Sequence, residues 1–397
     1  MSHLARAVVA MLMLTAVALA NPVDDWNASI EAGKKAYDEK KLDDAQKHFE
    51  QAVKIAEGLG DKDARLAGSL DHLGAVHSQK KEYTKAEPLF KRAIAIIEAA
   101  RDKGHTDLII TLQNLATVYR ETGRLDEAEA AYKRTQAIVE ATFGKDDERV
   151  ATALSNLAAL EGLRNRHDKT AALLEQALTI REKKLGGESG AVAQTCADLG
   201  NTYFRLQKLD DAEKHYIRSL SIQKKLAPGK QAEYDALGRL AQLLEFRKKF
   251  VEALPVRQRM LEVLEANLGK DHAQVGVAAY LLGNTHAALE QNTEAEAMFQ
   301  RALTLAEKAG ANNIEAGKAA FSLGRLHAQA KQWDKAEPMC KKSIAIFQRN
   351  PGPSSPLYAV AVLNYAAVME ATGRKTEAQK LKDLVAALQK QTGKDKK

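Results

Sequence analysis

The amino-acid sequence predicts an all-α solenoid of about nine stacked helix–turn–helix repeats. Three observations predict it. A pattern of small residues recurs every 41 or 42 residues, apolar residues within each period follow helical spacing, and the composition favours helix. The 397 residues include only 8 prolines and 5% aromatic residues, amid abundant Ala, Leu, Glu, Lys and Gln. That balance suits helix and disfavours a β-rich fold. A chain of this length holds either a few ordinary domains or one long array, and the period selects the array.

The chain opens on residues 1–20, which have the pattern of a secretory signal peptide. Arg6 precedes an apolar run from Ala7 to Ala20, and the closing Ala18-Leu19-Ala20 suits cleavage before Asn21. The run is short for a membrane span, and no other long apolar stretch follows it. The expectation is an exported protein, periplasmic in a bacterium or otherwise secreted, with no membrane span after cleavage.

Residues 21–390 carry the repeats. A small residue opens the motif A-E-x-x-Φ at Ala45, Ala86, Ala128, Thr170, Ala212, Ala253, Ala295, Ala336 and Ala378. Twelve residues before each stands a second column: Gly33, Gly74, Ala116, Ala158, Gly200, Ala241, Gly283, Gly324 and Ala366. Four residues after the marker comes a large side chain in most repeats, including Phe49, Phe90, Tyr132, Leu174, Tyr216 and Phe299. Arg257, Cys340 and Lys382 stand there in the sixth, eighth and ninth repeats.

The spacing inside a repeat is helical. In the third, Leu112, Leu115, Ala116 and Tyr119 fall at i, i+3, i+4 and i+7, one face of a first helix. Gly123 breaks the pattern, and Leu125, Ala128 and Tyr132 begin the apolar face of a second. Small columns let the two backbones approach, so that a Phe or Tyr drops in beside them. One such hairpin cannot bury its apolar face alone and needs neighbours on both sides. The tail, residues 391–397, ends Lys394-Asp395-Lys396-Lys397 and reads as a basic, disordered end.

These columns resemble the tetratricopeptide repeat, and the long period is most similar to the repeats of kinesin light chains. The stretch from Leu112 to Tyr119, with Gly123-Arg124-Leu125-Asp126-Glu127-Ala128-Glu129, follows that family's pattern. So do the connections Phe143-Gly144-Lys145-Asp146-Asp147 and Leu268-Gly269-Lys270-Asp271-His272. In them Gly is placed to close one helix and Asp to cap the next. The resemblance spans roughly residues 26–390 and implies a right-handed superhelical solenoid that binds peptides or proteins. It implies no motor role, because the export signal sets this chain apart from cytosolic light chains. The ninth repeat departs from the pattern, as a terminal cap with one wet face would.

Charge and chemistry exclude more than they assign. Removing Arg6 lowers the net charge from +7 to +6, and acidic and basic residues mix along the whole chain rather than forming the stripe of a nucleic-acid binder. Cys196 and Cys340 lie three and a half repeats apart, beyond the roughly 7 Å that a disulfide spans between α-carbons; both read as small buried hydrophobes. No metalloprotease helix, Cys-x-x-Cys pair or nucleophile elbow occurs. The glycine-rich Gly186-Gly187-Glu188-Ser189-Gly190 falls in a connection between repeats. His77, His286 and His327 occupy the slot held by Tyr119 and Tyr203 in other repeats, which predicts half-buried aromatic positions with one ring nitrogen bonded locally. The expectation is no enzyme, no metal and no cofactor.

The partner surface follows from helical geometry. With the Gly/Ala column as the eighth position of the first helix, positions 4, 7, 8 and 11 pack, and positions 2, 5, 9 and 12 turn toward the concave side. That stripe places Gln113, Thr117 and Arg120 in the third repeat, and Gln194, Asn201 and Phe204 in the fifth, with Arg205 beside them. Repeats six to eight add Gln242, Glu245, Tyr280, Asn284, Phe321 and Arg325. Amides suit a peptide backbone, arginines its carboxylates, and aromatic rings supply anchoring area. Repeats one, two, four and nine present mostly small residues there, such as Gly68, Ala75, Ala159, Gly162 and Ala367. The reading is a non-enzymatic scaffold or adaptor that holds a protein or peptide in repeats five to eight. Two other classes stay open: a binder of acidic polymers or anionic membranes through net charge, and an enzyme with a site between repeats.

Overall fold

A computed structural model describes residues 21–394 apart from Asp102, Ala311 and Asn312. The segment read as a signal lies outside the described residues. Among the described residues, eighteen α-helices follow one another with no strand. They divide into two compact units, Met1–Gly187 and Glu188–Lys397.

The first unit holds four hairpins. They are α1 (Pro22–Asp38) with α2 (Leu42–Leu59), α3 (Ala64–Gln79) with α4 (Tyr83–Ala100), α5 (Leu108–Glu121) with α6 (Leu125–Phe143), and α7 (Glu148–Leu163) with α8 (His167–Leu185). The second holds five. They are α9 (Gly190–Arg205) with α10 (Leu209–Leu226), α11 (Gln231–Phe246) with α12 (Phe250–Leu268), α13 (Ala273–Ala288) with α14 (Asn292–Lys308), α15 (Ile314–Gln329) with α16 (Trp333–Arg349), and α17 (Pro356–Ala371) with α18 (Lys375–Lys394). Within each unit every helix packs chiefly on the one before and the one after it. Helix α18 runs into the tail as far as Lys394.

Each marker residue is the fourth of its second helix, and all are fully buried except Thr170, which is 6% exposed. The Gly/Ala column explains why. A Cβ placed on Gly33 or Gly200 would lie 2.5 Å from the ring of Phe49 or Tyr216, and one on Gly74 or Gly283 would lie 2.8 Å from Phe90 or Phe299. The ring of each second helix therefore lies directly on the glycine backbone of its first helix, a contact that no Cβ permits.

The sixth and ninth hairpins, where the large residue is basic, close by a different chemistry. Arg257 is buried, and its Nε and Nη2 donate to Glu245 Oε1 and Oε2 at 2.8 and 2.6 Å. Lys382 reaches Glu370 at 2.6 Å. In both cases the acid stands at position 12 of the first helix and the glycine is replaced by alanine, Ala241 or Ala366. A paired charge fills the place of an aromatic ring.

The turn inside every hairpin contains one residue in the left-handed region. Gly123 and Gly373 supply it twice at φ 77° and 85°, and residues with side chains adopt φ of 57° to 60° in the other seven turns, as at Lys248 and Lys331. Between hairpins, Gly144 ends α6 and Asp147 caps α7 by accepting from Arg149 N at 3.0 Å. The second expected aspartate cap is corrected. His272, not Asp271, caps α13, its Nδ1 accepting from Gln274 N at 3.2 Å. After Gly269 the loop keeps the register of the loop after Gly144, so His272 falls where Asp147 does. Asp271 instead pairs with Lys308 at 2.9 Å, as Asp146 pairs with Lys183.

Basic residues just past a first helix tie neighbouring hairpins together. Arg124 pairs with Glu87, Arg247 with Asp210 and Glu213, and Arg374 with Glu337, at 2.5 to 2.9 Å. Arg164 reaches Asp126 and Glu129 in the same way. Each exposed pair contributes roughly 0–1 kcal/mol, but together they fix the stacking register within a unit.

Candidate partner-binding groove

In the second unit the first helices α9, α11, α13 and α15 carry the expected stripe. Gln194, Asn201, Arg205, Gln242 and Arg325 are exposed; Phe204, Glu245, Tyr280, Asn284 and Phe321 are half-buried. Two clefts gather several of them. One, of about 470 Å³, lies between α13 and α15 and is lined by Asn284, Ser322, Arg325 and Gln329, with Phe299 of α14 among its apolar walls. The Tyr280 ring leans on Phe299 at 5.7 Å between centroids. The other, of about 570 Å³, is lined by Tyr234, Asp235, Arg239, Gln242, Glu245 and Arg257 among others.

The electrostatics of this face are set by which charges are already satisfied. The Glu245 carboxylate is held by Arg257 and by the Thr285 hydroxyl at 2.8 Å, so it serves hairpin closure as much as the cleft. Gln194 donates to Asp198 at 3.0 Å, and Asn201 Oδ1 accepts from the Tyr216 hydroxyl at 2.8 Å. Burial pushes the Tyr216 phenol up to about 12, so the hydroxyl remains a donor. Arg205, Arg239 and Arg325, by contrast, form no ion pair or hydrogen bond among the described residues. Three unsatisfied guanidinium groups thus stand on α9, α11 and α15.

In the first unit, Gln113 and Arg120 are half-buried on α5, and Arg120 is paired with its neighbour Glu121 at 2.8 Å. Sequence reasoning missed Arg239, at position 6 of its helix, and Phe246, at position 13. Phe246 is 54% exposed and packs edge-on against Phe204, with ring centroids 5.2 Å apart. Arg239 lines the second cleft, and for Phe246 an exposed aromatic in a helical sequence was the available signal.

A tetratricopeptide repeat model matches residues 35–99, 65–141, 107–183, 149–225, 232–308 and 315–391. The chain belongs to the tetratricopeptide repeat family. No curated protein matches it. Three of the solved structures that match are these. A signal transduction ATPase with a tetratricopeptide repeat sensor from Pyrococcus horikoshii is 14% identical with a TM-score of 0.60, covering 95% of this chain and 54% of its own. BtubC from P. vanneervenii is 22% identical with a TM-score of 0.52, covering 57% of this chain and 92% of its own. A putative kinesin light chain with nearly identical repeats from Podosopora anserina is 19% identical with a TM-score of 0.46, covering 52% and 97%. Tetratricopeptide repeat proteins generally mediate protein–protein interaction.

The remaining candidate residues fit repeat packing. His77, His286 and His327 are 6%, 8% and 6% exposed, close to Tyr119 at 7%. Each Nδ1 bonds five residues on, to Glu82, Gln291 and Gln332, at 2.6, 2.7 and 3.0 Å. Where the slot holds tyrosine, the residue five on is a cation over the ring, Arg124 at 4.3 Å or Lys208 at 5.9 Å. Cys196 and Cys340 are fully buried and form no disulfide. Among the described residues no helix is long and apolar enough to cross a membrane.

Proposed function

We propose that this tetratricopeptide repeat protein is an exported, non-enzymatic scaffold whose second unit holds an acidic segment of a partner protein along α9, α11, α13 and α15. The observation that carries the reading is Arg325. Its guanidinium is exposed and unpaired beside Asn284 in a cleft of about 470 Å³ with a phenylalanine wall. A peptide carboxylate meets the guanidinium there, and the Asn284 amide is free to bond the backbone. Arg205 and Arg239 extend the same preference, and the Phe204–Phe246 pair adds apolar anchoring area. A preformed surface loses little order on binding.

The test uses the mature chain and fluorescein-labelled peptides of equal length, one rich in Asp and Glu, one rich in Lys and Arg. The acidic peptide binds preferentially, and Arg205→Glu with Arg325→Glu weakens it about tenfold or more, roughly 1.4 kcal/mol. Unchanged binding after charge reversal sinks the groove assignment. Capture on an anionic resin that is lost steeply with salt, with no peptide preference, favours an acidic polymer instead. For the location, recovery of the chain from an extracytoplasmic fraction with Asn21 as its first residue supports export, and a cytosolic full-length chain refutes it.

A further inference from the structure

The first unit contains a cleft that the sequence reading passed over, although Lys34, Tyr37, Asp71, Ala75 and Ile110 on its lining all stand at stripe positions. It has a volume of about 400 Å³ and lies among α1, α3 and α5, with Tyr37, Ala75 and Ile110 on its apolar walls. Phe49 closes one side, with the His72 ring stacked on it at 5.0 Å and 15°. Burial holds the His72 imidazole below its ordinary range, so at neutral pH it is uncharged and brings no cation to the cleft.

Asp71 stands in this wall. Several half-buried acids elsewhere are met by cations: Glu87 by Arg124, Glu129 by Arg164, Glu213 by Arg247, Glu337 by Arg374. Asp71 is held only by neutral donors, the Asn114 amide at 3.2 and 3.4 Å to its two oxygens and a bond from Thr111. Burial pushes its carboxyl up, the sign of a charge taken from water without compensation. The one cation on the lining, Lys34, pairs with Glu31 at 3.2 Å, while Asp38 adds a second carboxylate at the rim.

We propose that this cleft is a second recognition site, opposite in charge to the groove of the second unit, and that it takes the arginine side chain of an extended partner peptide onto Asp71. Arginine fits better than lysine on three counts. Its guanidinium is the more weakly hydrated cation, it spans both carboxylate oxygens at once, and it stacks on aromatic faces such as Tyr37. Its aliphatic stem covers the walls at Ala75 and Ile110, the latter 63% exposed. An adjoining cleft of about 330 Å³ shares Tyr37, Ala75 and Asn114, which leaves room for the residue that follows the arginine.

The experiment uses the full mature chain and three labelled peptides that differ at one central residue: arginine, lysine, or its neutral isostere citrulline. The arginine peptide binds, and the citrulline peptide and the Asp71→Asn variant each weaken binding at least tenfold. Asp71→Asn removes a desolvated charge, so it folds, which circular dichroism checks. Ala75→Phe fills the cleft and abolishes binding, and Arg325→Glu leaves it unchanged, so failure here is separable from failure of the acidic-peptide groove. The NMR titration midpoint of the Asp71 carboxyl falls when the arginine peptide is added. Equal binding of the arginine and citrulline peptides, full binding to Asp71→Asn, or no binding at millimolar peptide overturns the proposal. Lysine binding as tightly as arginine overturns the guanidinium assignment.

Discussion

The contact between glycine and aromatic ring is the feature on which four of the nine hairpins depend, and Gly200→Ala tests it. In a helix this substitution ordinarily stabilises by about 0.8–1 kcal/mol, because alanine loses less backbone entropy. Here the new Cβ would meet Tyr216 Cδ1 and Cε1 at 2.5 Å and Cγ at 3.1 Å. Carbon atoms need about 3.5 Å, so the ring must retreat by roughly 1 Å. Overpacking of that kind costs about 1–3 kcal/mol. Moving the ring also strains the 2.8 Å bond from its hydroxyl to Asn201, worth about 0.5–1.5 kcal/mol. The unfavourable terms win, and the variant loses about 1–2 kcal/mol.

Gly238→Ala in α11 is the control. Its Cβ would meet only Met260 Cε, at 3.6 Å, an ordinary contact, so the propensity gain of about 0.5–1 kcal/mol survives. The two substitutions thus shift the urea midpoint in opposite directions when unfolding is followed by far-UV circular dichroism. A companion Tyr216→Leu, which copies the Ala158 and Leu174 pair of the fourth hairpin, completes a double-mutant cycle with a coupling of about 1 kcal/mol or more. If Gly200→Ala stabilises as Gly238→Ala does, the close approach does not govern hairpin geometry and the explanation of the Gly/Ala column is wrong.

Three other outcomes follow from the same packing. Arg257→Met leaves Glu245 with only Thr285 and costs about 1–3 kcal/mol, less than for a fully buried pair because the Glu245 side chain is 25% exposed; adding Glu245→Met should recover part of the loss in the same urea assay, and no recovery would count against the pair. Glu129 is held at about 2 by Lys133 and Arg164, and Glu337 at about 2 by Arg374, Lys341 and Tyr365. A depressed carboxyl stabilises the fold above its ordinary value of 4.5 and loses that contribution as pH falls toward 2; Glu129→Gln with Glu337→Gln should flatten the melting temperature across this window, and an unchanged acid slope refutes the assignment. Burial pushes the Cys340 thiol up to about 11, so Ellman's reagent should leave it untouched in the folded chain at mildly alkaline pH and react after unfolding in guanidinium; prompt reaction in the native state would show that the eighth hairpin opens.

The sequence made the packing legible because packing is what repeats. The marker column, the Gly/Ala column and the histidines at the tyrosine slot recur at constant spacing, and each recurrence reports a burial that the structure contains. The groove was legible in part, since a stripe rule finds Asn284, Arg325 and Phe204 from helical geometry alone. It stopped at positions 2, 5, 9 and 12 and so passed over Arg239 and Asn114 at position 6 and Phe246 at position 13. Two further features were out of reach for definite reasons. Glu245 and Arg257 are twelve residues apart and meet only when the hairpin closes, so neither looks like half of a pair in the sequence. The cleft at Asp71 gathers stripe residues from three successive first helices, Lys34 and Tyr37, Asp71 and Ala75, and Ile110, and the sequence does not show that they converge.

The repeats also show how one backbone requirement admits several chemical solutions, each with a consequence for binding. A hairpin closed by an aromatic ring on glycine leaves position 12 of its first helix free for other work. Tyr37 and Phe204 occupy it in the first and fifth hairpins, and both line or border a cleft or an exposed aromatic pair. A hairpin closed by a basic residue over alanine must spend position 12 on the counter-charge, Glu245 in the sixth and Glu370 in the ninth. A similar coupling links position 11 to the residue five beyond it, histidine with Glu or Gln as acceptor and Tyr119 or Tyr203 with Arg or Lys above the ring. These pairs must change together, since an unpaired charge or an unfilled space is costly in a stacked core. The choice made at the closing position therefore decides, hairpin by hairpin, which first helices can offer a side chain to a partner and which have already committed it to their own fold.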